Sequence, residues 1–234
     1  MLCKIAELLV DVPESGGMQQ RCQKYAFDAD RSVDIQITEE KYRPENCAGL
    51  SYNDMCYMES GAQFHLQLMR YGGIMLHASA VAMDGKAYLF SGPCGTGKST
   101  HTRIWQQTFG AENALVFNDD KPALRRLDGK WYAYGTPWCG KDGINENMRV
   151  PLAGICFLKQ AKENTIIRLT KKEAVYRVFS QTLHRFYKEE NLDLMLAHVD
   201  KLVREIPVFE LHNRPEPEAA RLSYETMRQA AQEV

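Results

Sequence analysis

The segment at residues 91–100 reads SGPCGTGKST and fills every fixed position of the phosphate-binding pattern G-x-x-x-x-G-K-[ST]. In this pattern the glycines let backbone N–H groups turn inward around phosphates, the lysine adds a positive charge, and the hydroxyl after it can ligate Mg²⁺. The pattern also requires a strand before the loop and a helix after it, which indicates an α/β fold. We therefore expect a nucleoside triphosphate to bind at Gly92, Pro93, Cys94, Gly95, Thr96, Gly97, Lys98, Ser99 and Thr100.

The composition excludes several classes of partner. The 234 residues include 29 basic and 30 acidic side chains without a long basic block, so we expect no nucleic-acid partner. No apolar run is long enough to span a membrane, and charge interrupts the N-terminus too early for a secretory signal. We therefore expect no membrane partner and a cytoplasmic location. Seven cysteines, an odd number with no C-x-x-C pair, indicate free thiols rather than a disulfide framework or a structural zinc site.

A predicted β-hairpin leads directly into the phosphate loop. Residues 74–90 form two apolar runs joined by Asp84-Gly85, a dipeptide that favours the type I′ turn of a two-residue hairpin. Counting outward from this turn carries His77 opposite Gly92, so we expect His77 beside the loop as a phosphate or metal contact, with a structural strand histidine as the alternative. The same register pairs Met83 with Lys86, Val81 with Tyr88 and Ser79 with Phe90.

Two adjacent acids follow the next apolar strand. Residues 114–117 predict a strand that delivers Asp119 and Asp120 at its carboxyl end. Adjacent side chains at a strand end can be splayed, so one carboxylate would face Mg²⁺ while the other accepts the proton of an incoming hydroxyl, a division that phosphoryl transfer needs. A solvated turn is the alternative, and the sequence does not say which acid takes which part.

A second hairpin aims a glycine-rich segment at these acids. Asp128-Gly129 turns the chain within residues 123–134, and counting outward from it brings residues 136–137 close to the acids. The segment at residues 135–147 is too long and too rich in glycine for a plain connection, and such loops are often functional. We expect it to be a substrate or nucleotide loop.

The remaining elements are predicted from apolar periodicity and capping signals. One helix begins after a capping box at residues 170–173 and includes Leu183 and Phe186 in its apolar stripe. We further expect β-structure at residues 5–12, 33–38, 152–158, 166–169 and 208–211, and helices at residues 56–70, 98–109, 192–203 and 215–232.

The order of these pieces resembles a known superfamily. A hairpin that runs into a phosphate loop is unlike the parallel sheet of Ras-type proteins, and the LHASA segment at residues 76–80 with the loop after it resembles phosphoenolpyruvate carboxykinase. Asp119-Asp120 matches the paired acids of that superfamily. On a much smaller core, the arrangement also resembles the catalytic domain of HPr kinase/phosphorylase, a bacterial enzyme that phosphorylates a serine of a carrier protein. The length of the chain favours this second branch.

The resemblance covers about residues 72–158 and implies a fold and a domain division. The fold would be α/β, a phosphoenolpyruvate carboxykinase-like P-loop fold with mixed and antiparallel sheets flanked by helices. Residues 1–65 would form a small N-terminal β-rich module, and residues 66–234 the P-loop kinase core with its C-terminal helices.

The resemblance also implies a role for each matched residue. Lys98 would bind phosphate and Ser99 would bind Mg²⁺, with Mn²⁺ as an alternative metal. Asp119 and Asp120 would serve as metal ligand and base, and His77 would contact the metal or the phosphate. The segment at residues 147–151 resembles the carboxykinase segment whose arginine touches the transferred phosphate, which makes Arg149 a further catalytic candidate.

The expected activity is ATP- and Mg²⁺-dependent transfer of the γ-phosphoryl group to a hydroxyl. The acceptor expected first is a serine of a protein or of a small ribosomal peptide. A kinase for small molecules, a nucleotide-binding regulator and a phosphatase of the same fold are the alternatives. The identity of the acceptor and assembly into a homo-oligomer are left open.

Overall fold

A computed structural model describes residues 1–42, 48–182 and 189–232. Cys47, Leu183 and Phe186, which the sequence analysis used, lie outside the described residues. The six cysteines within them are free thiols, as predicted. No helix in these ranges combines the length and the apolar character needed to cross a bilayer.

The N-terminal segment forms a three-stranded sheet with one short helix. Its first two strands make an antiparallel hairpin that turns at Ala6 and Glu7, both with positive φ, so the apolar residues 5–12 span a turn rather than one strand. The alternation at residues 33–38 yields only a two-residue strand, because the Asp34 carboxylate accepts the Leu9 N–H (2.7 Å) beside it. The elements are β1 (Leu2–Ile5), β2 (Leu8–Asp11), α1 (Met18–Cys22) and β3 (Ile35–Gln36).

A nine-stranded mixed sheet flanked by helices forms the rest of the described chain. This confirms the predicted mixed α/β class. The first half contains α2 (Tyr52–Leu68), β4 (Gly73–Met75), β5 (Ala78–Met83), β6 (Lys86–Ser91), α3 (Lys98–Phe109), β7 (Leu115–Asn118), β8 (Ala123–Leu127) and β9 (Lys130–Tyr134). The second half contains β10 (Arg149–Gln160), β11 (Thr165–Arg168), α4 (Lys171–Ser180), α5 (Glu189–Glu205), β12 (Val208–Asn213) and α6 (Pro217–Ala230).

The strand order is β4-β8-β9-β10-β6-β5-β7, with β12 beside β10 and β11 beside β12. Strand β10 joins the two halves of the sheet, since its start pairs with β9 and the part from Leu152 onward pairs with β6. The pairs β10–β6 and β10–β12 are parallel, whereas the two predicted hairpins are antiparallel. The observed register of β5 and β6 matches all three predicted pairs.

The apolar run at residues 74–83 is not one strand, contrary to the prediction. It breaks after β4, which pairs with β8, and resumes as β5, which pairs with β6. At the break, the backbone N–H of Leu76 donates to the carbonyl of Pro122 (3.2 Å), and that of His77 donates to the carbonyl of Gln181 (2.9 Å). The chain crosses here between the two halves of the sheet, so His77 lies at their junction.

Helices cover both faces of the sheet. Trp105 of α3 and Met227 of α6 pack with Phe90 on one face, and Val178 of α4 and Val199 of α5 pack on the other. Ser51 caps α2, and the predicted capping box that begins α4 is present.

The N-terminal sheet shares a buried cluster with the large sheet. Tyr25 and Ile35 belong to the same cluster as Phe64 of α2, Tyr134 of β9 and Trp138. Helix α2 runs across the boundary proposed at residues 65 and 66, and the division into two domains stays a prediction.

Candidate active site

The phosphate loop and the paired acids leave the sheet at the same edge. Strand β5 lies between β6 and β7 and is antiparallel to both, so β6 and β7 point the same way. Ala78 pairs with Ser91 at the end of β6, and Ala80 pairs with Asn118 at the end of β7. The loop that follows Ser91 and the acids that follow Asn118 are therefore neighbours.

The backbone conformation at both ends of the phosphate loop favours glycine. Gly92 has φ 145°, and a Cβ there would lie 3.0 Å from Thr96 Oγ1. Gly97 has φ 95° and precedes α3 without a side-chain cap, so the first N–H groups of α3 are left for another acceptor. Backbone N–H groups at a helix N-terminus are a general anion site. The loop thus has the form that phosphate binding requires.

Lys98 curls back over this loop. Its Nζ donates to the carbonyls of Gly92 (3.0 Å) and Pro93 (3.2 Å), and the residue is buried. Burial lowers the pKa of Lys98, while Asp120, Cys94 and Asp119 act in the opposite direction. The lysine is thus within electrostatic range of both acids, with its charge directed at the loop.

Asp120 is the centre of a buried polar cluster. Its Oδ2 accepts hydrogen bonds from the Tyr57 hydroxyl and from Lys121 Nζ (2.6 Å), and Lys121 Nζ also donates to the Tyr57 hydroxyl (3.1 Å). Its Oδ1 lies 3.5 Å from Nε2 of His77. One oxygen of Asp120 is therefore held by the cluster, and the other faces the side on which His77 lies.

The cluster keeps Asp120 ionised. Burial alone would raise the pKa of Asp120, but the Lys121 ammonium, the hydrogen bonds from Lys121 and Tyr57, and His77 outweigh it, and the pKa falls below its ordinary value. Burial and the neighbouring Asp120 charge raise the pKa of Tyr57 well above its ordinary value, so this hydroxyl stays protonated and donates. At neutral pH the group is a carboxylate with a fixed orientation.

His77 is neutral at the same pH. Burial and the charge of Lys98 lower its pKa, while Asp120 opposes them. The Nδ1 of His77 lies 3.3 Å from the side-chain oxygen of Gln181, the C-cap residue of α4. The backbone carbonyl of His77 accepts a hydrogen bond from the Ser91 hydroxyl (2.8 Å). These contacts hold the ring next to the end of β6. The structure thus places His77 beside the loop and against Asp120.

Asp119 has a different environment. Its Oδ1 is buried without a hydrogen-bond partner among the described residues. Its other side faces Gly140, where a Cβ would lie 3.0 Å from the Asp119 carbonyl and 3.7 Å from Oδ2. A buried carboxylate oxygen that has no donor lacks the compensation that burial normally requires. A cation is the natural partner for such an oxygen.

The glycine-rich segment packs on the acids, as the second hairpin predicts. The Thr136 hydroxyl donates to the carbonyl of Lys121 (2.7 Å), and the Asn118 side-chain amide donates to the carbonyl of Thr136 (3.0 Å). Asn118 and Asn145 form a backbone bridge, and the backbone N–H of Glu146 donates to the carbonyl of Phe117 (2.8 Å). The segment at residues 135–147 is therefore a wall of this site.

Three further loop candidates lie around Lys98. Ser99 is partly exposed in the first turn of α3, Thr100 beside it is exposed, and Cys94 is an exposed free thiol. No group of three or more His, Cys, Asp or Glu within the described residues could hold a metal by itself. Mg²⁺ bound with a nucleotide uses one or two carboxylates together with phosphate oxygens, so the absence of a larger protein cage in this part of the chain does not conflict with such an ion.

Arg149 is separate from the other candidates. Its Nη1 donates to Glu7 Oε1 (2.6 Å), and its guanidinium lies 4.8 Å from the centre of the Tyr132 ring. None of its contacts within the described part of the chain is with the phosphate loop or the acids. Its role at the transferred phosphate stays a prediction.

Sequence reasoning missed three residues of this site. Tyr57 lies in the helix predicted at residues 56–70 and comes 63 residues before Asp120, so no local pattern connected the two. Gln181 lies 104 residues after His77 and gave no signal. Lys121 was detectable, since a lysine directly after two acids is placed to neutralise one of them.

Comparisons with known proteins gave a family match and a weak structural similarity. A family model described as SynChlorMet cassette protein ScmC matches residues 54–214. The Hpr(Ser) kinase/phosphatase from Coxiella burnetii is a similar solved structure, with a TM-score of 0.37 and 10% identity over 68% of this chain and 90% of that chain. A TM-score this low does not establish a shared fold. No curated protein matches the chain.

Proposed function

The chain belongs to the SynChlorMet cassette protein ScmC family, and we propose that it is an ATP- and Mg²⁺-dependent kinase that transfers the γ-phosphoryl group to a hydroxyl. Its fold would be the phosphoenolpyruvate carboxykinase-like P-loop fold of the HPr kinase group. One observation carries the proposal: the phosphate loop with Lys98 and the Asp119–Asp120 pair leave the sheet at one edge. Phosphoryl transfer needs this combination of an anion site, a metal ligand and a carboxylate base.

Different residues would perform the different parts of the reaction. The N–H groups of the loop and of the first turn of α3 would bind the phosphates, and Lys98 would turn from its two loop carbonyls toward them. Such fixed charges are effective because they do not have to reorient during the reaction. Asp120, ionised and oriented by Tyr57 and Lys121, would accept the proton of the acceptor hydroxyl through the oxygen that faces His77.

Asp119 and Ser99 would hold the metal. Among the residues that the structure describes, none donates to the buried Oδ1 of Asp119, and this supports the choice, because a buried carboxylate oxygen without a hydrogen bond needs a cation. When bound, Mg²⁺ neutralises the charge of the phosphate oxygens. This assigns the two acids to the two parts that the sequence left open, with Asp119 as ligand and Asp120 as base.

The acceptor proposed first is a serine of a protein or a small ribosomal peptide. The family description calls its members cassette proteins. The gene products encoded beside this one are therefore the first acceptors to test, and free hydroxyl compounds are the second set.

The experiment compares Asp119→Asn and Asp120→Asn in two measurements, binding of Mg·ATP by calorimetry and transfer of label from γ-labelled ATP to these acceptors. Asp120→Asn should keep Mg·ATP binding and lose about a hundredfold or more in transfer, because it removes the base. Asp119→Asn should lose both. Asp200→Asn is the matched control, since Asp200 is exposed on α5 and pairs with Arg204 of the same helix.

Two results would contradict the proposal. Full transfer by Asp120→Asn would remove the proposed base. A wild-type protein that binds Mg·ATP but labels no acceptor would favour the nucleotide-binding regulator.

A further inference from the structure

A cavity of about 810 Å³ opens beside the proposed base. It lies between α1, the first half of α2 and the segment at residues 135–147, and Asp120 and Lys121 line one end of it. Its volume is in the upper part of the range of about 300–1,000 Å³ typical of ligand sites. The cavity therefore has room for a substantial part of a second substrate.

Asp120 borders this cavity and also contacts His77, which lies beside the phosphate loop. Tyr57, which holds one oxygen of Asp120, also lines the cavity, whereas His77 faces the other oxygen from the side of the loop. Gly140 lines the cavity and packs against Asp119. An acceptor bound in the cavity would thus have its hydroxyl next to Asp120, whose other oxygen faces His77.

The charged side chains that line the cavity are mainly basic. Of the four basic residues that line it in the described part of the chain, Lys121 is neutralised by Asp120 and Lys24 by Glu146 (2.6 Å). Arg21 and Lys141 have no ion pair with any residue that the structure describes. The other lining acid, Asp54, accepts the Ser51 hydroxyl (2.7 Å) at the start of α2. Positive charge therefore remains in excess at the cavity wall.

The guanidinium of Arg21 is held in place, and only part of it donates hydrogen bonds within the described chain. Its Nη1 donates to the carbonyl (3.0 Å) and the Sγ (3.4 Å) of Cys139, and its guanidinium lies 4.8 Å from the centre of the Tyr57 ring. Its Nη2 and Nε donate to no atom of the described chain. A guanidinium fixed by stacking, with free N–H groups in a cavity, matches the geometry of a carboxylate.

We propose that this cavity binds the phosphoryl acceptor and that the acceptor carries a carboxylate close to its hydroxyl, with Arg21 as the residue that recognises the carboxylate. The proposal rests on the proposed kinase function and adds the chemical class of its substrate. Either an acidic peptide segment or a small hydroxy acid supplies this chemistry. Arg21 acts in binding and specificity, and Asp120 remains the base.

The test measures binding without catalysis. Three fluorescent peptides with a central serine flanked by aspartates, asparagines or lysines are titrated with the full chain in fluorescence anisotropy, and glycerate is added as a competitor. The aspartate peptide should bind the wild type at least about tenfold more tightly than the asparagine peptide, and Arg21→Gln should remove this difference. Arg204→Gln, at an exposed arginine of α5 paired with Asp200, is the matched control and should keep it.

Charge reversal separates recognition from structure. Arg21→Glu should shift the preference to the lysine peptide, which a variant that only damages the fold would not do. Displacement of the peptide by glycerate at low concentration would identify a small hydroxy acid as the source of the carboxylate, and no displacement would identify the peptide.

Two results would overturn the inference: equal binding of all three peptides by the wild type, or equal loss of all three in Arg21→Gln. The kinase proposal is tested apart from this, by binding of Mg·ATP and transfer of label. A protein that binds the aspartate peptide but not Mg·ATP would contradict the proposed kinase function and would still support carboxylate binding in the cavity.

Discussion

Asp119 and Asp120 are adjacent in the chain and lie in unlike surroundings. The sequence predicted a metal ligand and a base at these two positions, because an apolar strand preceded them, and in the structure both acids follow the end of β7. It did not distinguish them, because the distinction comes from Tyr57 on a helix 63 residues earlier. Contacts between residues so far apart depend on packing rather than on local pattern.

This difference predicts that the two Asp→Asn variants differ in stability. Asp120→Asn should lower the free energy of unfolding by about 3 kcal/mol, because it leaves the buried Lys121 ammonium without its charge partner. Asp119→Asn should cost little or nothing, since Oδ1 of Asp119 has no donor to lose within the described residues. Urea unfolding at pH 7 measures both. Equal destabilisation by the two variants would contradict the environments described for the two acids.

At the level of elements, the sequence predicted the strand pairings that short turns determine. Both Asp-Gly turns gave the correct hairpins, because a two-residue turn sets the register of every pair that follows it. The break at residues 76–77 was missed, since an apolar run does not show which strand will be its neighbour. The glycine-rich segment was predicted to approach the acids as a substrate or nucleotide loop, but the close approach of its two ends was not predicted.

That close approach predicts the effect of one glycine substitution. A Cβ at Gly135 would lie 1.8 Å from the carbonyl oxygen of Glu146, so Gly135→Ala should cost more than about 3 kcal/mol by forcing the ends of the segment apart. Gly143→Ala is the control in the same segment. No atom lies within 4 Å of a Cβ there, so only its positive φ (67°) counts, and the cost should be about 1 kcal/mol. Thermal unfolding followed by circular dichroism compares the two, and similar losses would contradict the predicted clash.

At the scale of the whole molecule, buried neutral histidines connect stability to pH. Burial lowers the pKa of His101 to about 3, and burial together with His198 lowers the pKa of His65 to about 3. His65 Nδ1 accepts the N–H of Met75 (2.8 Å), which requires that this nitrogen carry no proton. The sequence gave no indication that these two histidines are buried, because their burial depends on the packing of α2 and α3.

The sign of the effect of pH on stability follows from the lowered pKa values of the two histidines. Below the ordinary histidine pKa of 6.5, the unfolded chain binds protons that the native protein excludes, so stability falls as the pH falls from 6.5 toward 3. By pH 5 the loss is about 2 kcal/mol for each of the two histidines. Urea unfolding at pH 7 and pH 5 should show it, and His65→Gln should reduce the difference by about 2 kcal/mol. A difference unchanged in this variant would mean that His65 is not the source.

The central claim is that Lys98 and its loop bind the phosphates of ATP for transfer to a hydroxyl. The most direct measurement is the rate of Mg²⁺-dependent label transfer from γ-labelled ATP by the wild type and by Lys98→Ala, with the thermal midpoint of each as the control for folding. The wild type should label a hydroxyl acceptor, and Lys98→Ala should be slower by about a thousandfold while it remains folded, because the charge that stabilises the transferring group is lost. Equal rates in the two folded proteins would contradict the assignment.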